Sequence, residues 1–177
     1  IAGVFDLATE LYGISFKEDK SIPVYHQDVK AYQVYDYNKD FLAILYLDFF
    51  PREGKRQGAW KTDFKAQERE NGKDVRPHVS LVFNFTKPTS EKPSLLTYSE
   101  LRTTLHEFGH ALHAIFSDVT YSSLSGTKVY RDFVELPSQI MENWAEQAEW
   151  LNKIARHYET GETMPTELLQ RIIDSKN

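Results

Sequence analysis

The chain has 177 residues, 41% of them hydrophobic and 27% charged, with a formal net charge of −5 and no cysteine. That is the size of one domain with one core; it excludes disulfides and thiolate metal ligands, and Lys and Arg spread along an acidic chain leave no footprint for nucleic acid. No apolar run approaches the ~20 residues of a membrane-spanning helix, the longest, Phe41 to Leu47, ending at Asp48.

The first half reads as a short helix and a sheet. Val4 to Tyr12 has helical periodicity and is closed by Gly13, and Ile14 to Lys17 is extended. Tyr32 to Tyr37 and Phe41 to Leu47 are rich in aromatic and β-branched residues, and Asn38-Lys39-Asp40 supplies a turn between them, so they predict a hairpin. Arg52 to Arg76 is polar and carries Gly54, Gly58 and Gly72; it reads as a long loop or broken segment. Val79 to Phe85 is a further strand, either a buried structural one or an exposed edge to which an extended peptide can add by backbone hydrogen bonds. Asn84 interrupts that strand and is a candidate contact to a bound backbone.

Next comes the most informative stretch. Thr97 to Glu100 has the form of a capping box, Leu96 and Leu101 that of a hydrophobic staple, and Leu101, Leu105, Phe108, Leu112 and Ile115 follow a core-facing 4-3-4-3 spacing. A helix from about Tyr98 to Phe116 results. It carries His106-Glu107-Phe108-Gly109-His110. Residues four apart share a helical face, so the two imidazoles can reach one ion. Glu107, about 100° round the helix, can stay off the metal and serve as a general base toward water. A motif of this kind arises by chance in roughly one or two such chains per hundred, so it needs a third ligand from elsewhere.

His113 does not supply it: its backbone lies roughly 10 Å along the axis from that of His106, too far for bonds of about 2 Å to converge. The elongated pattern HExxHxxGxxH fails as well, with His113 and Phe116 where Gly and His are required. His113 reads as a supporting or surface residue. The following loop, Ser123 to Thr127, is small and polar enough to border a cleft or to be a plain connection. Asp132-Phe133-Val134-Glu135 is the remaining source. Its spacing suits a capping box, Pro137 argues against a regular helix beginning as early as Phe133, and spacing alone leaves Glu135 either a cap or a ligand. Ile140, Trp144, Ala148 and Leu151 predict a helix after it. Glu142, seven residues beyond Glu135, is placed to orient a ligand histidine from behind or to lie on a solvated face. These elements make an α+β arrangement, a small sheet beside two metal-bearing helices.

HEFGHALH, SLSGT (Ser123 to Thr127) and DFVELPSQIMENW (Asp132 to Trp144) resemble the zinc oligopeptidase family that includes thimet oligopeptidase and the bacterial peptidyl-dipeptidase Dcp. The likeness extends to LDFFPREGKRQGAW (Leu47 to Trp60), VFNFTKP (Val82 to Pro88) and ARHYETGETMPTELLQRI (Ala155 to Ile172), the last closer to the Dcp branch. The resemblance implies a zincin-like core and a zinc metallopeptidase acting on short peptides in the cytoplasm. His106, His110 and Glu135 would be the Zn2+ ligands and Glu107 the catalytic base. Peptidyl-dipeptidase action is the expected type, with internal cleavage of the thimet type, or an inactive zinc-binding or protein-interaction module, as alternatives. It further implies that residues 1–177 are an excised portion of a catalytic domain, with a helix- and β-rich part over 1–96 and a helical zinc-binding part over 97–177. The remainder of the enzyme would be its partner. Tyrosine and histidine donors to the reacting oxygen would lie in a Gly- and Tyr-rich segment beyond the polar run Asp174 to Asn177, so the piece alone would hold metal but cleave slowly.

Overall fold

The computed structural model describes residues 1–174, so the polar run is covered only at Asp174. Helix α1 (Ala2–Tyr12) buries Val4, Leu7 and Ala8 and stops at Gly13, whose φ of 69° is the left-handed conformation that lets its N–H reach the Thr9 carbonyl. Strands β1 (Ser15–Glu18), β2 (Lys30–Tyr35) and β3 (Phe41–Asp48) follow as an antiparallel meander. The expected hairpin is β2–β3; Lys39 turns it at φ 72°, and Asp36 accepts from the Asp40 N–H at 2.8 Å.

The polar segment from Arg52 to Arg76 is where the structure departs from expectation. It contains β4 (Trp60–Lys65) and a small separate hairpin, β5 (Glu68–Glu70) with β6 (Lys73–Val75). Asn71-Gly72, both at positive φ, form the hairpin's turn. This dipeptide is a strong hairpin signal, overlooked among so many charges. Strand β7 (His78–Val82) is shorter than the expected Val79 to Phe85 and is no edge. In the sheet order β1-β2-β3-β7-β4 it lies between a parallel β3 and an antiparallel β4, and β4 is the terminal strand. Trp60, Thr62 and Phe64 of β4 do alternate with Lys61 and Asp63, but the residues that share the helix side with Leu81 and Val79 are the charged ones, which is why β4 was hidden in a polar stretch.

Alternation does work inside the sheet. Val34 on β2, Ala43, Leu45 and Leu47 on β3, and Val79 and Leu81 on β7 all join one core, with Leu105, Phe108, Leu112 and Ile115 from helix α2 (Tyr98–Ile115). The predicted capping box closes α2: Thr97 Oγ1 accepts the Glu100 N–H, and Glu100 Oε2 accepts the Thr97 N–H at 2.8 Å. After it come a 3₁₀ turn (Ser122–Leu124), short helix α3 (Arg131–Val134), α4 (Leu136–Glu142), a second 3₁₀ turn (Asn143–Glu146), α5 (Ala148–Ile154) and α6 (Thr166–Asp174). The helix predicted from Ile140, Trp144, Ala148 and Leu151 is therefore broken; Ile140 and Ala148 are exposed, and the buried residues are Met141, Ala145, Trp150 and Leu151. Among the described residues no helix is long and apolar enough to cross a membrane.

Two buried ionic anchors hold the layers. Arg76 donates to Leu42 O at 2.7 Å and to Ile115 O and Ser117 O at 2.6 and 3.0 Å. It ties β3 to the end of α2, where free carbonyls favour a cation. Asp48, 1% exposed, receives Arg52 Nη1 at 2.8 Å, Lys55 Nζ at 2.9 Å and Tyr25 Oη at 2.9 Å. Lys55 also donates to the carbonyls of Phe50 and Phe83. Burial opposes ionisation of Asp48, but the hydrogen bonds from Arg52, Lys55 and Tyr25 outweigh it and hold the carboxyl below its ordinary value. A depressed folded value means that this stabilisation is complete above the unfolded pKa of about 3.9 and is lost as pH falls through the folded one. Asp48→Asn should lower the unfolding free energy by about 3–5 kcal/mol at pH 7, since Lys55 is left buried without its counter-charge. It should also flatten the acid limb of stability between pH 5 and pH 3 in urea titrations. Parallel acid limbs in the two proteins would refute the assignment.

Candidate metal centre

Helix α2 supplies the first half of the site and the junction of α3 and α4 the second. His106 and His110 present edge-to-face rings 4.9 Å apart on one side of α2. Glu135 sits between Val134 and Leu136 at φ −85°, ψ −8°, where the chain turns from α3 into α4 with Pro137 in the first turn. The proline thus begins α4 and does not interrupt it. Among the described residues the N-cap of α3 is Tyr130, not Asp132, and neither it nor Glu135, the N-cap of α4, makes a side-chain capping bond. Instead Glu135 Oε2 lies 3.2 Å from His106 Nε2 and 3.2 Å from His110 Nε2.

Three potential ligand atoms from His106, His110 and Glu135 lie within 4.8 Å of one another, a group that can hold a metal ion. The spacing fits the chemistry. Two tetrahedral bonds of about 2.0–2.1 Å put their ligand atoms roughly 3.3 Å apart, close to both distances measured to the carboxylate. The donor set, two imidazoles and one carboxylate, suits Zn2+ with an open position, though related divalent ions accept it too.

The surroundings aim these atoms. His106 Nδ1 is 2.6 Å from Glu142 Oε1, so a proton on Nδ1 leaves the Nε2 lone pair facing Glu135. Glu142 also pairs with Arg102. Burial opposes its charge, but the bonds from His106 and Arg102 prevail and hold its carboxyl below the ordinary value. Ser138 Oγ lies 2.9 Å from Glu135 Oε2 and 2.8 Å from the Glu135 carbonyl oxygen, so its one proton is shared between that side chain and its backbone. Burial pushes His110 down despite the opposing pull of Glu135, and its Nδ1 has no partner among the described residues. Glu107, 9% exposed, is pushed up by burial and by Glu135 and pulled down by His106 and the Lys61 backbone N–H. It stands apart from the three converging atoms and faces β4.

The close crossing of α2 and α4 depends on Gly109. A Cβ there would fall 2.6 Å from Pro137 O and from Ser138 Cα, backbone atoms that cannot swing aside. A glycine inside a helix costs about 1 kcal/mol relative to alanine, so its place between the two histidines was a signal of close packing that spacing arguments had not used. Ser138 and Arg102 were likewise missed; Ser138 is a local partner three residues after Glu135, whereas Arg102, four before His106, meets Glu142 across the two helices.

The remaining expectations divide. His113 stays out of the cluster; burial and Lys61 lower its pKa, its Nδ1 is buried without a partner among the described residues, and its ring meets Phe133 edge-on at 6.1 Å. Asn84 Nδ2 donates to Arg56 O and Gly58 O and fastens the loop before β4, while its Oδ1 is buried without a partner among the described residues. The Ser123 to Thr127 segment does approach the site's border: Gly126 packs on Ala114 of α2, and Thr127 Oγ1 accepts from Lys61 Nζ at 3.0 Å. Lys61, 4% exposed, also pairs with Asp63 at 2.7 Å, so the loop is tied to β4.

The sequence model described as Peptidase family M3 matches residues 1–177. The chain is 45% identical over 170 residues to the dipeptidyl carboxypeptidase of Escherichia coli (strain K12), a span of 96% of this chain and 25% of that protein. It is 42% identical over 179 residues to oligopeptidase A of the same organism, covering 100% of this chain and 26% of that protein. A thimet-like oligopeptidase of Dictyostelium discoideum is 41% identical over 183 residues, covering 100% of this chain and 27% of that protein. The chain thus spans about a quarter of the length of the curated relatives it matches.

Gly109→Ala should force α4 away from α2, lowering the unfolding free energy by about 1–3 kcal/mol in denaturant titration. The same variant should hold zinc more weakly, because Glu135 travels with α4. A variant of unchanged stability and zinc affinity would mean that the crossing tolerates a methyl group.

Proposed function

The chain belongs to peptidase family M3, and from that premise we propose that residues 1–177 are the metal-bearing portion of the catalytic domain of a zinc metallopeptidase, zincin-like in its core. The observation that carries this reading is the convergence of His106 Nε2, His110 Nε2 and Glu135 Oε2, with Glu107 beside them and outside the ligand set. A divalent ion there supplies Lewis-acid polarisation of a peptide carbonyl and of water. The chain's own residues do the rest. Glu107 takes a proton from the attacking water at its carboxylate and passes it to the leaving amine. Its burial supports this role, since a carboxylate poorly solvated in its charged form is a better proton acceptor. Glu142 keeps the His106 ring in one tautomer, and Ser138 restrains Glu135.

The substrate would be a short peptide laid along β4. The sheet ends there, so its outer backbone groups are available for pairing with an extended chain. Lys61 and Asp63 pair with Leu81 and Val79, whose side chains enter the core under α2, so both lie on the helix side of the sheet. A peptide added to this edge passes Glu107, whose carboxylate feels the Lys61 N–H. The edge thus takes the role that the sequence offered to the strand now seen as β7. We assign the peptidyl-dipeptidase type on the 45% relation to a dipeptidyl carboxypeptidase and the Dcp-like stretch after Ala155. The 42% relation to oligopeptidase A supports internal cleavage as the second reading. Mass spectrometry of a blocked peptide digest separates them: successive loss of C-terminal dipeptides supports the first, internal fragments the second.

In the full-length protein, His106→Ala, His110→Ala and Glu135→Ala should each lose most of the bound zinc measured by atomic emission. Glu107→Gln should retain zinc while turnover falls by about 100-fold or more. Near-normal turnover of Glu107→Gln would refute the base assignment, and full zinc in Glu135→Ala would move the third ligand elsewhere. Exhaustive chelation should abolish hydrolysis and added zinc restore it; hydrolysis that survives chelation would remove the metal from the reaction.

A further inference from the structure

Glu142 is the last residue of α4, a position where the helix's own carbonyls disfavour a carboxylate. It nevertheless turns inward, with 18% of its side chain exposed, and divides its two oxygens between two residues of α2. Oε1 meets His106 Nδ1 at 2.6 Å, and Oε2 meets a guanidinium nitrogen of Arg102. Arg102 and His106 are four residues apart and lie one above the other on the helix, so a single carboxylate can touch both. A glutamate held by one oxygen alone can still rotate about its side-chain bonds; held by both, it has one orientation. Arg102 also offsets the unfavourable charge at the end of α4. Among the described residues its Nε is buried without a partner, and Glu142 is the one carboxylate with which it forms an ion pair.

We infer that Arg102 is a positioning residue of the metal centre: by gripping Glu142 Oε2 it sets the orientation in which Oε1 fixes the His106 ring, and so raises metal affinity from two contacts away. The inference rests on the reading of His106 as a metal ligand. The bland alternative is an ordinary ion pair fastening α2 to α4, and the two differ in what they move. A fastening pair changes the stability of the metal-free protein, whereas a positioning residue changes metal affinity and does so only through Glu142.

The test is zinc affinity by competition with a chromophoric chelator, together with melting of the metal-free form. It is run on the full-length protein and on its Arg102→Met, Arg102→Lys, Glu142→Gln and Arg102→Met/Glu142→Gln variants. Loss of a residue that supports a metal ligand commonly weakens binding by about 10- to 100-fold, and a residue one contact further out belongs at about tenfold. Arg102→Met should show that loss with little change in metal-free melting, and Arg102→Lys should recover most of it. In the Glu142→Gln background, Arg102→Met should add nothing. If Arg102→Met folds poorly, Arg102→Gln serves for the same comparison. An affinity change below about twofold, or a tenfold loss that persists in the Glu142→Gln background, overturns the inference. A wild-type protein that binds no zinc at His106, His110 and Glu135 overturns the parent reading and this one with it; tight wild-type binding with an indifferent Arg102 overturns this one alone.

Discussion

The approach of the α4 backbone to α2 at Gly109 is the constraint from which the rest of the site follows. With no side chain there, Pro137 and Ser138 rest against the helix between the two histidines. That contact brings Glu135, two residues earlier, over the His106 and His110 rings, and Glu142, one helical span later, behind His106. One crossing therefore positions a carboxylate on each side of the same imidazole. The α3–α4 break is part of the arrangement, because a continuous helix through Glu135 would carry Pro137 past its first turn, where the ring clashes and a hydrogen bond is lost.

The sheet below keeps α2 still. Its apolar stripe fills the space over β3 and β7, and Arg76 joins the end of the helix to the sheet through three carbonyl oxygens. The loop leaving β3 is fixed by the buried Asp48 with Arg52 and Lys55, and Asn84 fastens the stretch that leads into β4. Arg52, Lys55 and Lys61, which read as part of a long loop or broken segment in the sequence, are thus internal fastenings around the edge strand beside Glu107.

Burial opposes the charge of both glutamates beside His106, and their partners separate them. Glu107 is pushed toward its neutral form by desolvation, whereas Glu142 is kept charged by the histidine and arginine it touches. The first environment suits the proton transfer proposed for Glu107, and the second the fixed acceptor proposed for Glu142. Ser138 on Glu135 and Arg102 on Glu142 extend the same logic outward, each restraining a carboxylate that faces a histidine.

The sequence by itself determined whatever depends on local periodicity. The Thr97–Glu100 cap, the 4-3-4-3 stripe and the i, i+4 histidines are settled within one helix, and the β2–β3 hairpin by aromatic and β-branched runs around a short turn. Candidate residues His106, Glu107, His110, Glu135 and Glu142 could be named from their spacing and the family resemblance. Only the tertiary structure decided that the Glu135 side chain faces both rings and makes no capping bond, and that Glu142 faces His106 and not water. It also decided that β4 takes the edge in place of β7, and that the second helical segment breaks at Asn143–Glu146. The reason is range: a side chain's neighbours along one element follow from its pitch, whereas contacts between elements depend on how closely two backbones approach. Here that distance is set by a glycine whose meaning appears only when Pro137 and Ser138 lie against it.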